Sequence, residues 1–274
     1  MKTFLRLTAA AFCLSRASAI TRTWDGGCGT AIFSTAANWN PDGAPANDDD
    51  LVFPAAAPVT VTNDLSSRTF GSLSFPAGTT LAGNAFTLTR GITSSPGGVG
   101  GRSAVTIEAN VTLAANQSFT SSGTGSLNFD GTVIFGARTL TVTGARPCTF
   151  NGIAGSNTAG SRLLKTGTGL LHVASTSLAF TNLPWDVSDG TLDVDGNLQA
   201  TVNLTGGKLT GDGTLIGLNA TGGDIEPDAS DLSVAGNVTL GGTSRCLFHL
   251  TGASAENTLE CNGSSVIIQG TATR

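Results

Sequence analysis

Charged side chains and histidines are scarce in this sequence, which limits the chemistry that it can support. Charged residues make up 12% of the chain, and the only histidines are His172 and His249. Each histidine alternates with apolar neighbours, and no Gly-x-Ser-x-Gly motif accompanies either of them. The sequence also has no Cys-x-x-Cys pair and no Cys/His cluster with zinc-binding spacing. We therefore expect surface or hydrogen-bonded histidines, no catalytic or cofactor-binding residue and no metal ligand.

Long hydrophobic runs are missing as well. Beyond residues 1–19 no apolar stretch approaches the roughly 20 residues needed to cross a bilayer, so we expect no membrane insertion. Residues 1–19 combine basic Lys2 and Arg6 with a short apolar run and a final Ala-Ser-Ala. This combination is typical of a secretory signal peptide that is cleaved after Ala19. We expect an exported protein, either secreted or held at the cell surface.

Basic residues are outnumbered by acidic ones. The chain has 14 Lys and Arg against 19 Asp and Glu, a formal net charge of −5. Loss of residues 1–19 removes Lys2, Arg6 and Arg16 and no acidic residue, which takes the net charge to −8. An acidic surface disfavours nucleic acid and anionic membranes as partners and favours solubility.

Cysteine is also infrequent. The mature chain contains Cys28, Cys148, Cys246 and Cys261. In an exported protein these four permit two disulfides in three alternative connectivities, and free buried thiols are the other interpretation. Cys246 and Cys261 are 15 residues apart, close to one repeat of the pattern described next. Their spacing suggests that they could stack on neighbouring coils.

Glycine, by contrast, is abundant and divides the sequence at short, nearly constant intervals. Gly190, Gly207, Gly223 and Gly242 each open a short strand-like segment, at spacings of 17, 16 and 19 residues. Apolar and polar residues that alternate between turn residues indicate short β-strands. A unit of this length cannot bury its apolar face alone, so neighbouring units must stack. The sequence predicts an all-β parallel β-helix, or β-solenoid, rather than an antiparallel sandwich.

The same alternation predicts which side chains lie inside. We expect one continuous interior that includes Leu192, Val194, Leu209, Leu215, Ile225, Val238 and Leu240. Several asparagines stand beside turn glycines or strand starts, where stacked amides can hydrogen-bond along the helix axis. These are Asn197, Asn203, Asn219, Asn237 and Asn262.

Three parts are predicted along the chain: a signal peptide at 1–19, an N-terminal capping segment at 20–54 and the β-helix at 55–274. The segment 20–54 holds two of the three tryptophans, and a stack needs an atypical first unit to cover its apolar end. The last predicted strand, at 265–269, is followed by no covering segment. We expect either a longer solenoid in the complete protein or a partner that covers the final coil.

Two ordered stretches carry a resemblance to a known family. The opening TWDGG…FSTAANWNPDGAPANDDDLVFP resembles the N-terminal segment of large exported bacterial proteins with autotransporter-associated β-strand repeats. The sequence LLKTGTGLLHV followed by VSDGTLDVDG resembles that repeat, and the stretch from LTGGKLTGDG onward resembles the segment after it. The resemblance implies a right-handed parallel β-helix, exported to the surface or medium, with no assigned catalytic residues.

Two groups of aspartates are the candidates for chemistry. Asp48, Asp49 and Asp50, with Asp42 nearby, form an acidic cluster. It could be either a calcium site or a solvated turn. The sequence lacks the ligand spacing of known calcium-binding loops, which favours the turn. The other group, on the predicted strands of the repeat, could in principle hydrolyse glycosides, but a soluble outer face is the simpler interpretation. Its members are Asp186, Asp189, Asp193 and Asp195.

Two functions follow as hypotheses. The first is a non-enzymatic structural or adhesive β-solenoid whose Thr-, Ser- and Asn-rich outer faces contact polysaccharide or another cell surface. The alternative is a carbohydrate-active β-helix enzyme, a glycoside hydrolase or lyase. An enzyme would need three or more carboxylates, or Lys or Arg together with carboxylates, on one outward strand face. The sequence alone shows no such cluster, so we expect the first function.

Overall fold

The chain folds almost entirely into short β-strands, because Thr, Val, Leu and Phe alternate with small polar residues between glycine turns. The computed structural model describes residues 19–54, 57, 60–97, 103–154, 160–174, 178–227, 232–247, 259–261 and 266–268, with the backbone alone for 153–154, 178–183, 259–261 and 266–268. A short 3-10 helix lies at Ala36–Asn38. The strands are β1 (Thr21–Trp24), β2 (Trp39–Asn40), β3 (Asp50–Val52), β4 (Thr60–Asn63), β5 (Arg68–Phe75), β6 (Thr80–Gly83), β7 (Phe86–Ser94), β8 (Val105–Ile107), β9 (Val111–Leu113), β10 (Gln117–Ser121), β11 (Leu127–Ile134), β12 (Thr139–Gly144), β13 (Cys148–Ala154), β14 (Arg162–Lys165), β15 (Leu170–Val173), β16 (Leu178–Val187), β17 (Thr191–Val194), β18 (Asn197–Leu204), β19 (Lys208–Thr210), β20 (Thr214–Ala220), β21 (Asp224–Ile225), β22 (Leu232–Val234), β23 (Val238–Leu240), β24 (Arg245–Cys246), β25 (Leu259–Cys261) and β26 (Val266–Ile268).

These strands form three parallel ladders that the chain visits in turn, so each circuit adds one coil. The first ladder runs β1-β3-β5-β7-β10-β12-β14-β16-β18-β20-β23-β26. The second ladder runs β4-β6-β8-β11-β13-β15-β17-β19-β21-β24. The third joins β5-β7-β9-β11-β13 and β16-β18-β20-β22-β25. The prediction of a parallel β-helix is confirmed.

Side chains of like position stack in columns along the interior. In the second ladder one such column, in direct Cα register, consists of Val105, Leu127, Cys148, Leu171, Leu192, Leu209, Ile225 and Cys246. All the predicted core residues are buried except Leu240, which is partly buried and packs against the core. The prediction of one continuous apolar interior is therefore confirmed, because period-two alternation fixes which side of a strand each residue occupies.

The repeated glycines form the corners that lead into the second ladder. Gly207 and Gly223 have φ angles of 72° and 78°, a left-handed conformation that residues with a Cβ rarely adopt. A Cβ at Gly207 would lie 2.5 Å from the carbonyl oxygen of Gly190, in the coil before it. Glycine is thus required at this corner both by the turn and by the close stacking of successive coils.

Aromatic side chains concentrate at the N-terminal end of the stack. The indole of Trp24 lies 5.0 Å, centroid to centroid, from that of Trp39, and Phe33 and Phe53 contact both rings. β2 runs antiparallel to β1, whereas every other strand pairing is parallel in the part of the chain that the structure describes. This arrangement suits the capping role expected of residues 20–54, which stays a prediction.

Two further expectations concern polar stacking and disulfides. Asn219 donates to the side-chain oxygen of Asn203, and Asn203 donates to Asp186, so a hydrogen-bonded ladder does run along the axis. The expectation that Cys246 and Cys261 stack on neighbouring coils is wrong. Cys246 pairs with a residue of β21 in the second ladder, whereas Cys261 pairs with a residue of β22 in the third, because the chain turns a corner between them.

The remaining cysteines are also separated. Cys28 is exposed near the N-terminal end, and Cys148 and Cys246 carry free thiols in one interior column. Five register steps separate these last two, or roughly 24 Å at the usual strand spacing, far beyond disulfide reach. No helix among the described residues is long and apolar enough to span a membrane.

Candidate functional site

The outward side of the second ladder brings together polar residues that are far apart in the sequence. One outward row, in direct Cα register, is Leu170, Thr191, Lys208, Asp224 and Arg245. A second row, two residues further along each strand, contains Thr149, His172, Asp193 and Thr210. Alternation along β15 and β17 turns both rows outward while the residues between them enter the core; in β19 Lys208 faces outward but Thr210 is buried. We call this surface the second-ladder face.

An open groove of about 730 Å³ lies on the second-ladder face where its strands begin. Glycine corners form part of its lining, and the side chains that line it include Thr191, Thr205, Lys208, Asp224, Glu226 and Arg245. The groove is polar, because its walls are hydroxyl, ammonium, guanidinium and carboxylate groups. It is therefore suited to a hydrophilic ligand rather than to an apolar one.

The charges in the groove are paired with one another. Arg245 donates to both carboxylate oxygens of Asp224, at 2.7 and 2.6 Å, and Lys208 Nζ lies 3.0 Å from Glu226 Oε2. The hydrogen bonds from Arg245 lower the pKa of the Asp224 carboxyl below its usual value. A general acid for glycoside cleavage needs the opposite, a raised pKa. The groove thus offers fixed charges for binding.

A second cluster lies on the same face, one coil away from Lys208. His172 Nε2 is 2.8 Å from Asp195 Oδ2 and 4.0 Å from Asp193 Oδ2. One ligand atom from each residue lies within 4.8 Å of the other two. His172 in β15, Asp193 in β17 and Asp195 just after β17 therefore converge, and their side chains could hold a metal ion. The expectation of a hydrogen-bonded surface histidine is confirmed for His172; His249 lies outside the described residues.

A buried lysine lies beneath the groove. Lys165 Nζ donates to the carbonyl oxygens of Thr166, Gly167 and Asp189, at 3.2, 2.6 and 3.1 Å. Burial lowers its pKa. A Cβ added at Gly190, in the groove lining, would lie 2.5 Å from this ammonium group. Lys165 thus positions the corner that leads into the groove, because its three donors bind the backbone there.

The acidic cluster near the N-terminus is the expected solvated turn only in part, because Asp42 and Asp48 are exposed whereas Asp49 and Asp50 pair with distant arginines. Asp49 is 2% exposed and accepts hydrogen bonds from Arg22 Nε and the main-chain nitrogens of Ile20 and Ala46. Asp50 accepts hydrogen bonds from Ser72 and Arg90. Burial acts to raise the pKa of the Asp50 carboxyl, but these hydrogen bonds and the charge of Arg90 together lower it below its usual value. Asp48 occupies a left-handed turn. The sequence did not reveal the distant arginines that hold these carboxylates.

The aspartates of the repeat are divided among different surfaces. Asp193 and Asp195 join His172, and Asp189 lines the groove. Asp186 belongs to the first ladder, where it pairs with Arg162 and Asn203. The sequence alone shows no cluster of lysine or arginine with carboxylates, but the structure has one, since Lys208, Asp224, Glu226 and Arg245 meet on the second-ladder face.

Sequence reasoning missed this convergence, although part of the signal was present. Aligning Gly190, Gly207 and Gly223 places the following residues, Thr191, Lys208 and Asp224, side by side, as the structure does. The next coil departs from the alignment, because Arg245 and not the residue after Gly242 pairs with Asp224. No family model, curated protein or solved structure matches the chain.

Proposed function

We propose that this protein is an exported, non-enzymatic structural or adhesive β-solenoid that contacts polysaccharide or another cell surface through its second-ladder face. The observation that carries the proposal is the open polar groove, which is lined by threonine hydroxyls and paired charges. Hydroxyl groups and charged pairs can exchange hydrogen bonds with sugar hydroxyls directly or through water. The predicted signal peptide and the autotransporter-associated repeat resemblance support the same proposal.

The buried aromatics define how such a ligand is held. Every aromatic side chain that the structure describes is buried, from Trp24 at the N-terminal end to Trp185 in the middle of the stack. Recognition on the described surface therefore relies on hydrogen bonds and charge rather than on stacking against rings. This predicts binding that weakens with salt when the ligand is charged.

A glycan array with the purified mature chain tests the proposal. We expect binding to polar polysaccharides that is reduced when Lys208 and Arg245 are both changed to Gln. The matched control is Arg138→Gln, an exposed arginine at the start of the first-ladder strand β12. Equal binding by the groove variant and the control, or no glycan binding by the wild type, would contradict the assignment of this face.

The alternative, a carbohydrate-active enzyme, is favoured by one observation: lysine and arginine do lie with carboxylates on one outward face. Turnover in a glycoside hydrolase and lyase screen would support it. Turnover that disappears when Asp193 and Asp195 are both changed to Asn would assign the activity to this face. We expect no turnover, because the hydrogen bonds from Arg245 lower the pKa of the Asp224 carboxyl, whereas a general acid needs a raised pKa.

A further inference from the structure

We propose that His172, Asp193 and Asp195 form a binding site for a divalent transition-metal cation, of which Zn²⁺ is the representative. An imidazole nitrogen with two carboxylate oxygens is a donor set that zinc accepts, with further coordination positions left to solvent or to a ligand. This inference does not depend on glycan binding by the groove.

The distances in the cluster are close to those of a metal centre. Zinc bonds of about 2.0–2.2 Å place the ligand atoms of a tetrahedral site ~3.3 Å apart. The His172–Asp195 separation of 2.8 Å lies just below that value and the His172–Asp193 separation of 4.0 Å just above it. All three ligand atoms lie within 4.8 Å of one another, so only small movements of the side chains would be needed to reach the spacing of a metal centre.

The backbone that carries these residues is fixed by the ladder. His172 in β15 and Asp193 in β17 are direct Cα partners in neighbouring parallel strands. The main-chain nitrogen of Asp195 donates to the carbonyl oxygen of Val173, 3.0 Å away, which anchors the end of β17 against β15. Sites built on strands hold their geometry better than sites on loops, because packing restrains the ligands.

Charge and access also fit a cation. Two carboxylate groups stand beside the imidazole, and their side chains are 19% and 37% exposed, so an ion can enter from solvent. The imidazole favours zinc, copper or nickel over calcium and magnesium, which prefer oxygen ligands. The competing interpretation is an ion pair between His172 and Asp195 that binds no metal.

Calorimetric titration of the chelator-treated mature protein with Zn²⁺, and in parallel with Ca²⁺, distinguishes the two interpretations. We expect one zinc site per chain and no comparable calcium binding. Changing His172 to Gln, or Asp193 or Asp195 to Asn, should each weaken zinc binding by at least about tenfold. Two controls should bind as the wild type does: Asp212→Asn, an exposed aspartate on the next coil, and His249→Gln, the other histidine.

A second measurement keeps the test independent of folding defects. Cobalt titrated into the same proteins should give visible absorption bands in the wild type and in both controls, and no such bands in the three cluster variants. Circular dichroism before titration establishes that each variant is folded. Zinc affinity that is unchanged in His172→Gln, or lost in His249→Gln, would overturn the assignment, as would a wild type that binds no zinc.

Discussion

The ammonium group of Lys165 donates a hydrogen bond to the main-chain carbonyl oxygen of Asp189, 3.1 Å away in the next coil. Lys165 does so from an interior position, since its Cα partners are Val142 on one side and Val187 on the other. A cation therefore occupies a column of otherwise apolar residues. Its place there is stabilised by carbonyl groups of the corner rather than by a carboxylate.

We predict that Lys165→Met destabilises the protein although methionine is the more apolar residue. Three part-buried carbonyl groups would lose their donor, and each such loss costs up to about 1–3 kcal/mol. The matched control is Lys208→Met. Lys208 forms a surface ion pair with Glu226, and the loss of such a pair costs about 0–1 kcal/mol of stability. Urea unfolding followed by circular dichroism compares the two midpoints. Equal midpoints for both variants would show that the corner carbonyls find other partners.

Cys148 should make stability fall at alkaline pH. Burial raises the pKa of this thiol from 9.0 to about 12, against the opposing effect of Lys165. Above pH 9 the unfolded thiol ionises while the folded one keeps its proton, so ionisation favours the unfolded chain until the folded thiol also ionises near pH 12. The Cys148 thiol therefore contributes its full stabilisation below pH 9, and this contribution is lost between pH 9 and about pH 12.

The measurement is the free energy of unfolding of the wild type and of Cys148→Ala across that interval. The wild type should be the more stable at neutral pH, and its advantage should shrink by up to about 1.4 kcal/mol per pH unit. Comparison with the variant removes the contribution of Cys246, which both proteins share. An advantage that stays constant with pH would contradict the raised pKa of this thiol.

Leu209 should be among the residues most sensitive to truncation. It is fully buried between Leu192 and Ile225 in the interior column of the second ladder. Leu209→Ala should cost about 2–5 kcal/mol. Ile216→Ala is the matched control, because Ile216 is 38% exposed and its truncation should stay within about 0.5 kcal/mol. A melting temperature unaltered by Leu209→Asp would be incompatible with burial.

Processing of the N-terminus should create a further ion pair. Cleavage after Ala19 would give Ile20 a free ammonium group, and its nitrogen already lies 3.0 Å from Asp49 Oδ1. Asp49 also pairs with Arg22, so Asp49→Asn should cost about 3–5 kcal/mol in a chain that begins at Ile20. The loss should be smaller in a chain extended by the leader's last residues, where Ile20 carries no charge.

Two results would contradict this prediction. One is N-terminal sequencing of the exported protein that gives a residue other than Ile20. The other is an Asp49→Asn variant of the Ile20 chain that unfolds at the same urea concentration as its parent. Asp64→Asn serves as the control, because Asp64 binds Ser34 on an exposed loop and has no arginine partner among its described contacts.

Much of the fold was predictable from local pattern. The glycine spacing indicated stacked coils, and alternation identified interior residues such as Leu192 and Val194 correctly. Both signals are local, because a period of two and a left-handed turn depend on a few adjacent residues. Lys165 is the exception within this pattern: alternation places it inside, but its charge argues for the outside. The conflict is resolved by carbonyl groups at the corner, two from the adjacent residues Thr166 and Gly167 and one from Asp189 in the next coil.

The candidate sites were not predictable to the same degree. They depend on which residues face each other on successive coils, and that register changes with each corner. Coils of 17 and 16 residues keep Thr191, Lys208 and Asp224 aligned, whereas the longer excursion that follows shifts the alignment to Arg245. The convergence of His172 with Asp195 requires the same register information. An arginine paired with a carboxylate 40 residues away, as Arg90 is with Asp50, leaves no local signature.

The order of strands in the first ladder has a mechanical consequence. β1 and β26 stand at its opposite ends, and the hydrogen bonds between its strands point along the axis that joins them. Tension between the two ends would therefore open the coils successively instead of straining all of the bonds together. The coil from Gly190 to Gly207 occupies about 4.8 Å of the stack and would extend to at most about 60 Å once detached. Under load the protein would lengthen in steps and would take up extension one coil at a time.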